Sequence, residues 1–270
     1  MRTIAIMNNK GGVGKTVTAI NLADILVHDY GQRVVLVDCD GQMDLTDQLL
    51  HDLDDDMPTL ADLMQGMANS IWSENLQEVR PGLRILPGDE ALYDLDLSNL
   101  KEGADAFQAN ALEDIRDCAI EDNDTDFLIF DCPPGFTTAS TAALYAAEEV
   151  ILPLKIDGFS MKGMQRLQSQ VRRLYRHGHN IRIAGVLITE WRNTEVVRHG
   201  EQLLRSLNIP VFRQTIRRTE KMPEATLDRA AIREYSPGSA ASQDYRAWVK
   251  ELLGEKTSEK EVVWNGKTNL

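Results

Sequence analysis

The stretch NNKGGVGKTVT, from Asn8 to Thr18, decides the fold. It follows the apolar run Ile4 to Met7 and continues directly into a helix-like segment. Its second half fits the phosphate-loop pattern G-x-x-x-x-G-K-[ST], although Asn9 stands at the first glycine position. The stretch also contains a second lysine, Lys10, which a phosphate loop of the usual kind does not need. A strand, a glycine-rich turn, a Lys-Thr pair and a helix in this order predict a phosphate-binding site in an α/β protein.

The residues of this loop suit a nucleotide with bound Mg²⁺. Glycines allow the backbone N–H groups to turn inward around phosphate oxygens, and the start of the following helix adds partial positive charge. Lys15 can bridge the β- and γ-phosphates, and the Thr16 hydroxyl can ligate Mg²⁺. The predicted nucleotide-binding residues of the loop are Gly11, Gly12, Val13, Gly14, Lys15, Thr16 and Val17.

Length and composition indicate an ordinary globular protein. The chain has 270 residues, of which 26% are charged and 43% apolar, enough for a large α/β core. No apolar stretch approaches the roughly 20 residues that cross a bilayer, and strand-like residues begin at Arg2, so we expect a soluble, cytoplasmic protein. The cysteines Cys39, Cys118 and Cys132 are odd in number and lack C-x-x-C spacing, which argues against disulfides or a zinc site.

The charge is unevenly distributed. The net charge is −13, but residues 155–234 contain 16 Lys and Arg against 8 Asp and Glu, which leaves −21 for the rest of the chain. Such asymmetry can create a basic surface on an acidic protein.

Short apolar runs alternate with amphipathic ones along the chain. The predicted strands are Arg2 to Asn8, Arg33 to Val37, Leu83 to Leu86, Asp126 to Phe130, Val150 to Leu154, Ile181 to Ile188 and Pro210 to Phe212. The predicted helices are Lys15 to Tyr30, Thr59 to Asn69, Ala104 to Ile120, Thr137 to Ala147, Ser160 to Arg176, Thr194 to Leu207 and Ser239 to Leu253. The alternation predicts an α/β fold with a mainly parallel, twisted β-sheet and helices on both faces.

The domain boundaries follow from the same pattern. Residues 1–254 are expected to form one domain and residues 255–270 a frayed tail. The acidic stretches His51 to Asp56 and Glu121 to Asp126 are expected to be solvated loops.

Two further strands end in carboxylates. VVLVDCDGQMDLT places Asp38 and Asp40 after the second predicted strand, and DFLIFDCPPG places Asp131 after another. Ligands of such sheets bind at the carboxyl ends of the strands, so all three carboxylates are expected near the phosphate loop. One of the first pair can hold metal-bound water while the other orients the attacking water, and Asp131 can join the Mg²⁺ shell. Capping of a strand end is the alternative role for Asp38 and Asp40.

These motifs carry a family resemblance. KGGVGKT, VDCDGQMDLT and IFDCPPG resemble the deviant Walker A, Walker A′ and Walker B motifs of the ParA/MinD group of P-loop ATPases. ILPLKIDGFSMKGM and the segment from Thr215 to Tyr245 resemble later parts of ParA-type partition ATPases, so the resemblance extends from Arg2 to about Leu253.

The resemblance implies a role for each site residue. Lys10 would reach across a two-fold interface to the nucleotide of the other subunit, and Asp40 would position the hydrolytic water. The implied catalytic residues are Lys10, Lys15 and Asp40, and the implied Mg²⁺ residues are Thr16, Asp38 and Asp131. ATP and Mg²⁺ are the implied cofactors. Val17, Gly41 and Asp44 depart from the usual ParA pattern; Asp44 either alters the coupling of nucleotide to partner or is a surface residue without such a role.

The resemblance also implies partners. ParA proteins bind DNA without sequence preference as ATP-bound homodimers on the nucleoid, with a ParB-like protein whose basic segment stimulates hydrolysis. The implied DNA-binding residues are Arg192, Arg217, Arg218 and Lys221; solvated helix charges are the alternative. No helix-turn-helix precedes Arg2, so sequence-specific operator binding is not expected.

Two other functions remain open from the sequence. A MinD-like protein would dock on membranes through an amphipathic C-terminal helix, for which Val262, Val263 and Trp264 form only a weak anchor. An adaptor would bind nucleotide with little turnover, against which the three carboxylates Asp38, Asp40 and Asp131 argue.

Overall fold

The computed structural model describes residues 1–51, 57–66, 72–102, 106–157 and 160–254. Their strands form one seven-stranded sheet in the order β3-β4-β2-β5-β1-β6-β7. Every neighbouring pair is parallel except β3 and β4, which are antiparallel at one edge. The strands are β1 (Arg2–Ile6), β2 (Val34–Asp38), β3 (Gln77–Arg80), β4 (Leu83–Leu86), β5 (Phe127–Asp131), β6 (Glu149–Lys155) and β7 (Arg182–Thr189).

Helices cover both faces of this sheet, which confirms the predicted α/β class. In the described residues they are α1 (Lys15–Tyr30), α2 (Asp44–Leu49), α3 (Leu60–Met64), α4 (Ala91–Glu102), α5 (Ala106–Asp122), α6 (Thr138–Ala146), α7 (Ser160–Arg176), α8 (Glu195–Ser206), α9 (Lys221–Leu227), α10 (Ile232–Tyr235) and α11 (Ala240–Leu252), with a short 3-10 helix at Trp72–Asn75. Among these residues, no helix combines the length and the apolar character that crossing a membrane requires.

Alternate strand residues enter two separate apolar cores. Ile4 and Ile6 of β1 pack into the core beneath α1 and α11, whereas Ala5 and the following Met7 pack into the core on the opposite face. Because successive side chains of a strand point to opposite faces, a strand buried on both sides is apolar throughout. This explains why the central strands were recognisable as continuous apolar runs.

The strand order brings the three motifs together. β5 lies between β1 and β2, with Asp131 opposite both Ile6 and Asp38. The loop after β1 and the acidic segments after β2 and β5 therefore leave the same edge of the sheet side by side.

A buried ion-pair network anchors α1 to the edge of the fold. Asp24 is fully buried and accepts hydrogen bonds from Arg233 at 2.6 and 3.0 Å, and it also pairs with Arg80 of β3. The network joins α1, β3 and α10, three elements far apart in the sequence.

Some predicted elements were wrong. Pro210 to Phe212 is not a strand: only Val211 bridges to Val186, and proline supplies no N–H for a ladder. Glu121 and Asp122 belong to α5 and not to a loop, and Asp126, with 32% of its side chain exposed, forms an ion pair with Arg33. The sequence analysis did not predict β3, α2, α4, α9 and α10. Each of these elements is short or has a mainly polar surface. Residues 52–56 of the first acidic stretch and the tail 255–270 lie outside the described residues.

Candidate nucleotide and metal site

The glycine-rich loop adopts a conformation that glycine permits. Gly12 and Gly14 have φ angles of 69° and 84°, in the left-handed region. No atom lies within 4 Å of a Cβ added at either position, so the backbone angle and not space requires glycine there. Helix α1 begins directly after Gly14, whose N-cap position has no side-chain hydrogen bond to the first turn. The loop thus presents the start of α1 to an anion.

The two lysines of the loop have different surroundings. Lys15 is buried, with 8% of its surface exposed, and its Nζ donates to the Lys10 carbonyl oxygen at 3.4 Å. The Lys10 side chain instead forms an ion pair with Asp157, which follows β6 in the same chain. The Lys10 N–H donates to Asn8 Oδ1 at 3.1 Å, and Asn8 in turn donates to the Pro153 carbonyl at 2.7 Å. Lys15 therefore faces the loop, whereas Lys10 has a counterion in the segment that follows the neighbouring strand β6.

Asp38 organises the turn after β2. Its Oδ2 accepts hydrogen bonds from the Thr46 N–H at 2.9 Å and the Thr46 hydroxyl at 2.7 Å, and its Oδ1 accepts one from the Asp40 N–H at 3.1 Å. Burial raises the pKa of Asp38 to about 6, against the lowering effect of the Thr46 hydrogen bonds. Thr46 also accepts from the Gly88 N–H at 3.0 Å. The predicted metal residue Asp38 thus already has a protein donor on each oxygen.

Asp131 has a different environment. It is buried, and its Oδ1 has no hydrogen-bond partner among the described residues. Burial, followed by the negative charge of Asp38, raises the pKa of Asp131 to about 8; a hydrogen bond from Thr16 and the charge of Lys15 act in the opposite direction. A buried carboxylate oxygen without a donor, beside the Thr16 hydroxyl, fits the oxygen ligands that Mg²⁺ prefers.

Magnesium bound here would need further oxygens. Within the described ranges, no group of three or more His, Cys, Asp or Glu side chains can hold a metal ion. Phosphate oxygens and water complete such shells when one or two protein ligands are present. Among the described side chains, Thr16 and Asp131 fit the place of these one or two protein ligands.

Asp40 lies two residues beyond Asp38, just after β2, and is half-buried. Its Oδ1 accepts a hydrogen bond from the Gln42 N–H at 3.0 Å. The structure therefore brings Asp40 to the same edge as the loop and Asp131, as the sequence predicted.

Asp44, the departure from the family pattern, begins α2 beside this edge. Partial burial, then the charges of Asp40 and Asp47, raise its pKa, and Lys15 opposes them. Asp44 also lines a pocket of about 190 Å³. The pocket is lined by Thr16, Val17, Ile20, Asn21, Asp44, Gln48, Met222, Thr226 and Ala230.

Three of the four predicted DNA-binding residues have acidic partners. Trp191 pairs with Arg217 through a backbone bridge, so the chain segment of Arg192 runs beside that of Arg217 and Arg218. Arg217 binds both carboxylate oxygens of Asp244, at 2.8 and 2.7 Å, so its guanidinium is held against the protein. Two weaker contacts are those of Arg218 with Glu190 at 3.9 Å and Glu220 at 3.6 Å. Lys221 pairs with Glu224 at 2.6 Å, whereas Arg192 is exposed and makes no ion pair with any described residue.

The fold and the loop define a class, the P-loop nucleotide-binding α/β proteins, and residues 1–184 match the family described as AAA domain. Over 260 residues the chain is 31% identical to the chromosome-partitioning ATPase Soj of Thermus thermophilus, covering 94% of this chain and 96% of that relative. The chain belongs to this AAA domain family and, within it, to the ParA-type partition ATPases.

Two solved structures have the same fold. The first is apo McdA of Cyanothece, at 23% identity and a TM-score of 0.81, covering 94% of this chain and 100% of that one. The second is cobyrinic acid a,c-diamide synthase of Mycobacterium smegmatis with bound ADP and magnesium, at 26% identity and a TM-score of 0.77, covering 94% of each chain.

Proposed function

We propose that the protein is an ATP-dependent molecular switch that hydrolyses ATP to ADP and phosphate. The observation that carries this proposal is the position of Asp131, whose buried, donor-free Oδ1 lies beside the loop of Lys15 and Thr16. Support comes from the similar cobyrinic acid a,c-diamide synthase, which holds ADP and magnesium on the same fold.

Each residue of the site has a distinct role in this proposal. The backbone N–H groups from Gly11 to Thr16 and the Lys15 ammonium bind the β- and γ-phosphates. Thr16 and Asp131 hold Mg²⁺, which when bound neutralises charge on those phosphates. Asp38 shapes the turn after β2 and supports the metal shell through water. Asp40, on that turn, orients the attacking water and accepts its proton.

Lys10 connects nucleotide state with dimer state. In the proposed homodimer, two ATP-loaded subunits face each other, and each Lys10 reaches the phosphates bound by the other subunit. Lys10 must first leave Asp157, and both side chains of that pair are about one-third exposed. Such pairs contribute only about 0–1 kcal/mol, so their release costs little.

The basic surface supports a DNA-binding role for the dimer. The segments that carry Arg192 and Arg218 are joined by the backbone bridge between Trp191 and Arg217, and phosphate contacts from these two arginines and from Lys221 would give sequence-independent, salt-sensitive affinity. Arg217 supports this surface mainly by fixing its backbone through Asp244. We propose that the cytoplasmic protein associates with the nucleoid in the ATP state and positions plasmid, chromosomal or other cargo with a ParB-like partner. The domain that does this is residues 1–254.

The test of hydrolysis is turnover of MgATP by wild type and by Lys15→Ala, alone and with DNA. We expect slow turnover in wild type and loss of nucleotide binding in the variant. Wild-type turnover equal to that of Lys15→Ala, with ATP binding intact, would instead identify a nucleotide-binding adaptor.

The DNA role has its own test. ATP-loaded wild type should bind unrelated duplexes, with affinity that falls as salt increases, and both Arg218→Glu and Lys10→Ala should bind poorly. Arg182→Glu, at the exposed start of β7 and so at the other end of that strand, is a control for the same change of surface charge. Equal binding by all four proteins at moderate salt would rule out the proposed surface.

A further inference from the structure

Helix α4 contacts the segments that follow two different strands. On one side, Tyr93 lies against Gly41 and Gln42, in the turn after β2. On the other, Asp96 Oδ1 accepts a hydrogen bond from the Thr138 N–H at 2.7 Å, where α6 begins after the Asp131 segment. The helix therefore joins the two carboxylate-bearing segments of the candidate site.

Tyr93 makes two contacts with the turn after β2. Its hydroxyl accepts a hydrogen bond from Gln42 Nε2 at 2.6 Å. Its ring covers the Cα of Gly41 so closely that a Cβ added there would lie 2.8 Å from Tyr93 Cε2. Since Gly41 has no left-handed φ, the ring and not the backbone is what a side chain there would meet, and the ring would have to shift to admit it. Proline is common at this position in the family pattern.

The same turn holds the carboxylate of Asp40. Gln42 donates its backbone N–H to Asp40 Oδ1 at 3.0 Å and its side-chain amide to Tyr93. Gln42 is itself exposed, so no apolar packing fixes it. Tyr93 is thus the contact through which α4 restrains the donor to Asp40.

We propose that Tyr93 is a positioning residue for Asp40, holding the turn of Gly41 and Gln42 so that the Asp40 carboxylate faces the attacking water. This inference rests on the proposed hydrolysis. Tyr93 has no contact with the phosphate loop in the described structure, so its loss affects the chemical step and leaves ATP binding unchanged. A residue that only stabilised the fold would change neither kcat nor KM selectively.

The experiment compares kcat and KM for MgATP in wild type, Tyr93→Phe and Gly41→Ala. Tyr93→Phe keeps the ring and removes the hydrogen bond, for which we expect kcat to fall about threefold to tenfold with KM unchanged. Gly41→Ala should lower kcat by displacing the ring. In a Tyr93→Ala background the same glycine change should have little further effect, because its obstacle is gone.

Tyr175→Phe, the same chemical change at an exposed tyrosine of α7, is the matched control and should match wild type. Amide hydrogen exchange of Gln42 gives a second readout that does not depend on turnover, and it should be faster in Tyr93→Phe than in the control. Wild-type kcat and exchange in both Tyr93→Phe and Gly41→Ala would overturn the role of Tyr93 while leaving hydrolysis intact. Absence of turnover in wild type itself would overturn the hydrolysis and this role together.

Discussion

Asp38 and Asp131 are direct register partners on the neighbouring parallel strands β2 and β5, both at the end that faces the phosphate loop. Both are buried, and their pKa values are raised to about 6 and about 8. Two carboxylates this close ionise together only at a cost in free energy. The pair therefore links the protonation of the site to the stability of the metal-free protein.

The metal-free protein is expected to lose stability as pH rises from 6 to 8. Protonated Asp131 is favoured in the folded chain, since its pKa there is about 8 whereas the ordinary pKa of an aspartate is 3.8, so folding binds a proton across this range. The free energy of unfolding should fall by about 2 kcal/mol between these pH values. Urea unfolding in EDTA measures it. Arg33 lowers the pKa of Asp126 to about 2, so the titration of Asp126 changes the free energy of unfolding only at lower pH.

Asp131→Asn is the matched variant for this pH dependence. It keeps the shape of the side chain and removes its titration, so its stability should change much less between pH 6 and 8. An equal slope in wild type and variant would show that Asp131 does not have the raised pKa.

Asp24→Asn should lower the free energy of unfolding by about 3 kcal/mol, because it leaves Arg80 and Arg233 without their buried counterion. Asp29→Asn is a control on the same helix: Asp29 also pairs with an arginine, Arg246, but at the surface. Its cost should stay below about 1 kcal/mol. Similar losses from both changes, measured by denaturant unfolding, would contradict a special role for the buried network.

Thr46→Val should destabilise the protein by about 1–3 kcal/mol and lower turnover. The change removes the hydroxyl that donates to Asp38 and accepts from the Gly88 N–H. The Asp38 carboxylate and the Gly88 N–H then stay buried and each loses this hydrogen bond. Thr46→Ser keeps the hydroxyl and should retain most turnover. The prediction fails if the serine variant loses as much activity as the valine variant.

Asp157→Asn should strengthen ATP-dependent dimerisation about twofold to fivefold, because Lys10 no longer leaves an ion pair when it moves to the other subunit. Analytical ultracentrifugation with a slowly hydrolysed ATP analogue measures the dissociation constant. Glu195→Gln makes the same change of charge away from Lys10 and serves as the control. Weaker dimerisation in Asp157→Asn would indicate that the carboxylate itself supports the interface.

The sequence predicted those parts of the site that are formed by residues close together in the chain. α1 was predicted at its observed bounds, Lys15–Tyr30, because Gly14 and Gly31 delimit a continuous helical stretch. The acidic segments could be placed because buried strands precede them. The contact of Tyr93 with Gly41 and the pairing of Lys10 with Asp157 could not, since they join exposed or half-exposed side chains distant in the chain. α4 was missed as an element, so its tyrosine had no predicted position.

The ion pair between Lys10 and Asp157 gives Lys10 a counterion within its own chain. In the proposed dimer, Lys10 would therefore exchange one counterion for another. An exchange reaction has a small net free energy, so modest changes in salt, nucleotide or partner concentration can reverse its direction. The lysine that closes the proposed dimer would thereby also keep the dimer reversible.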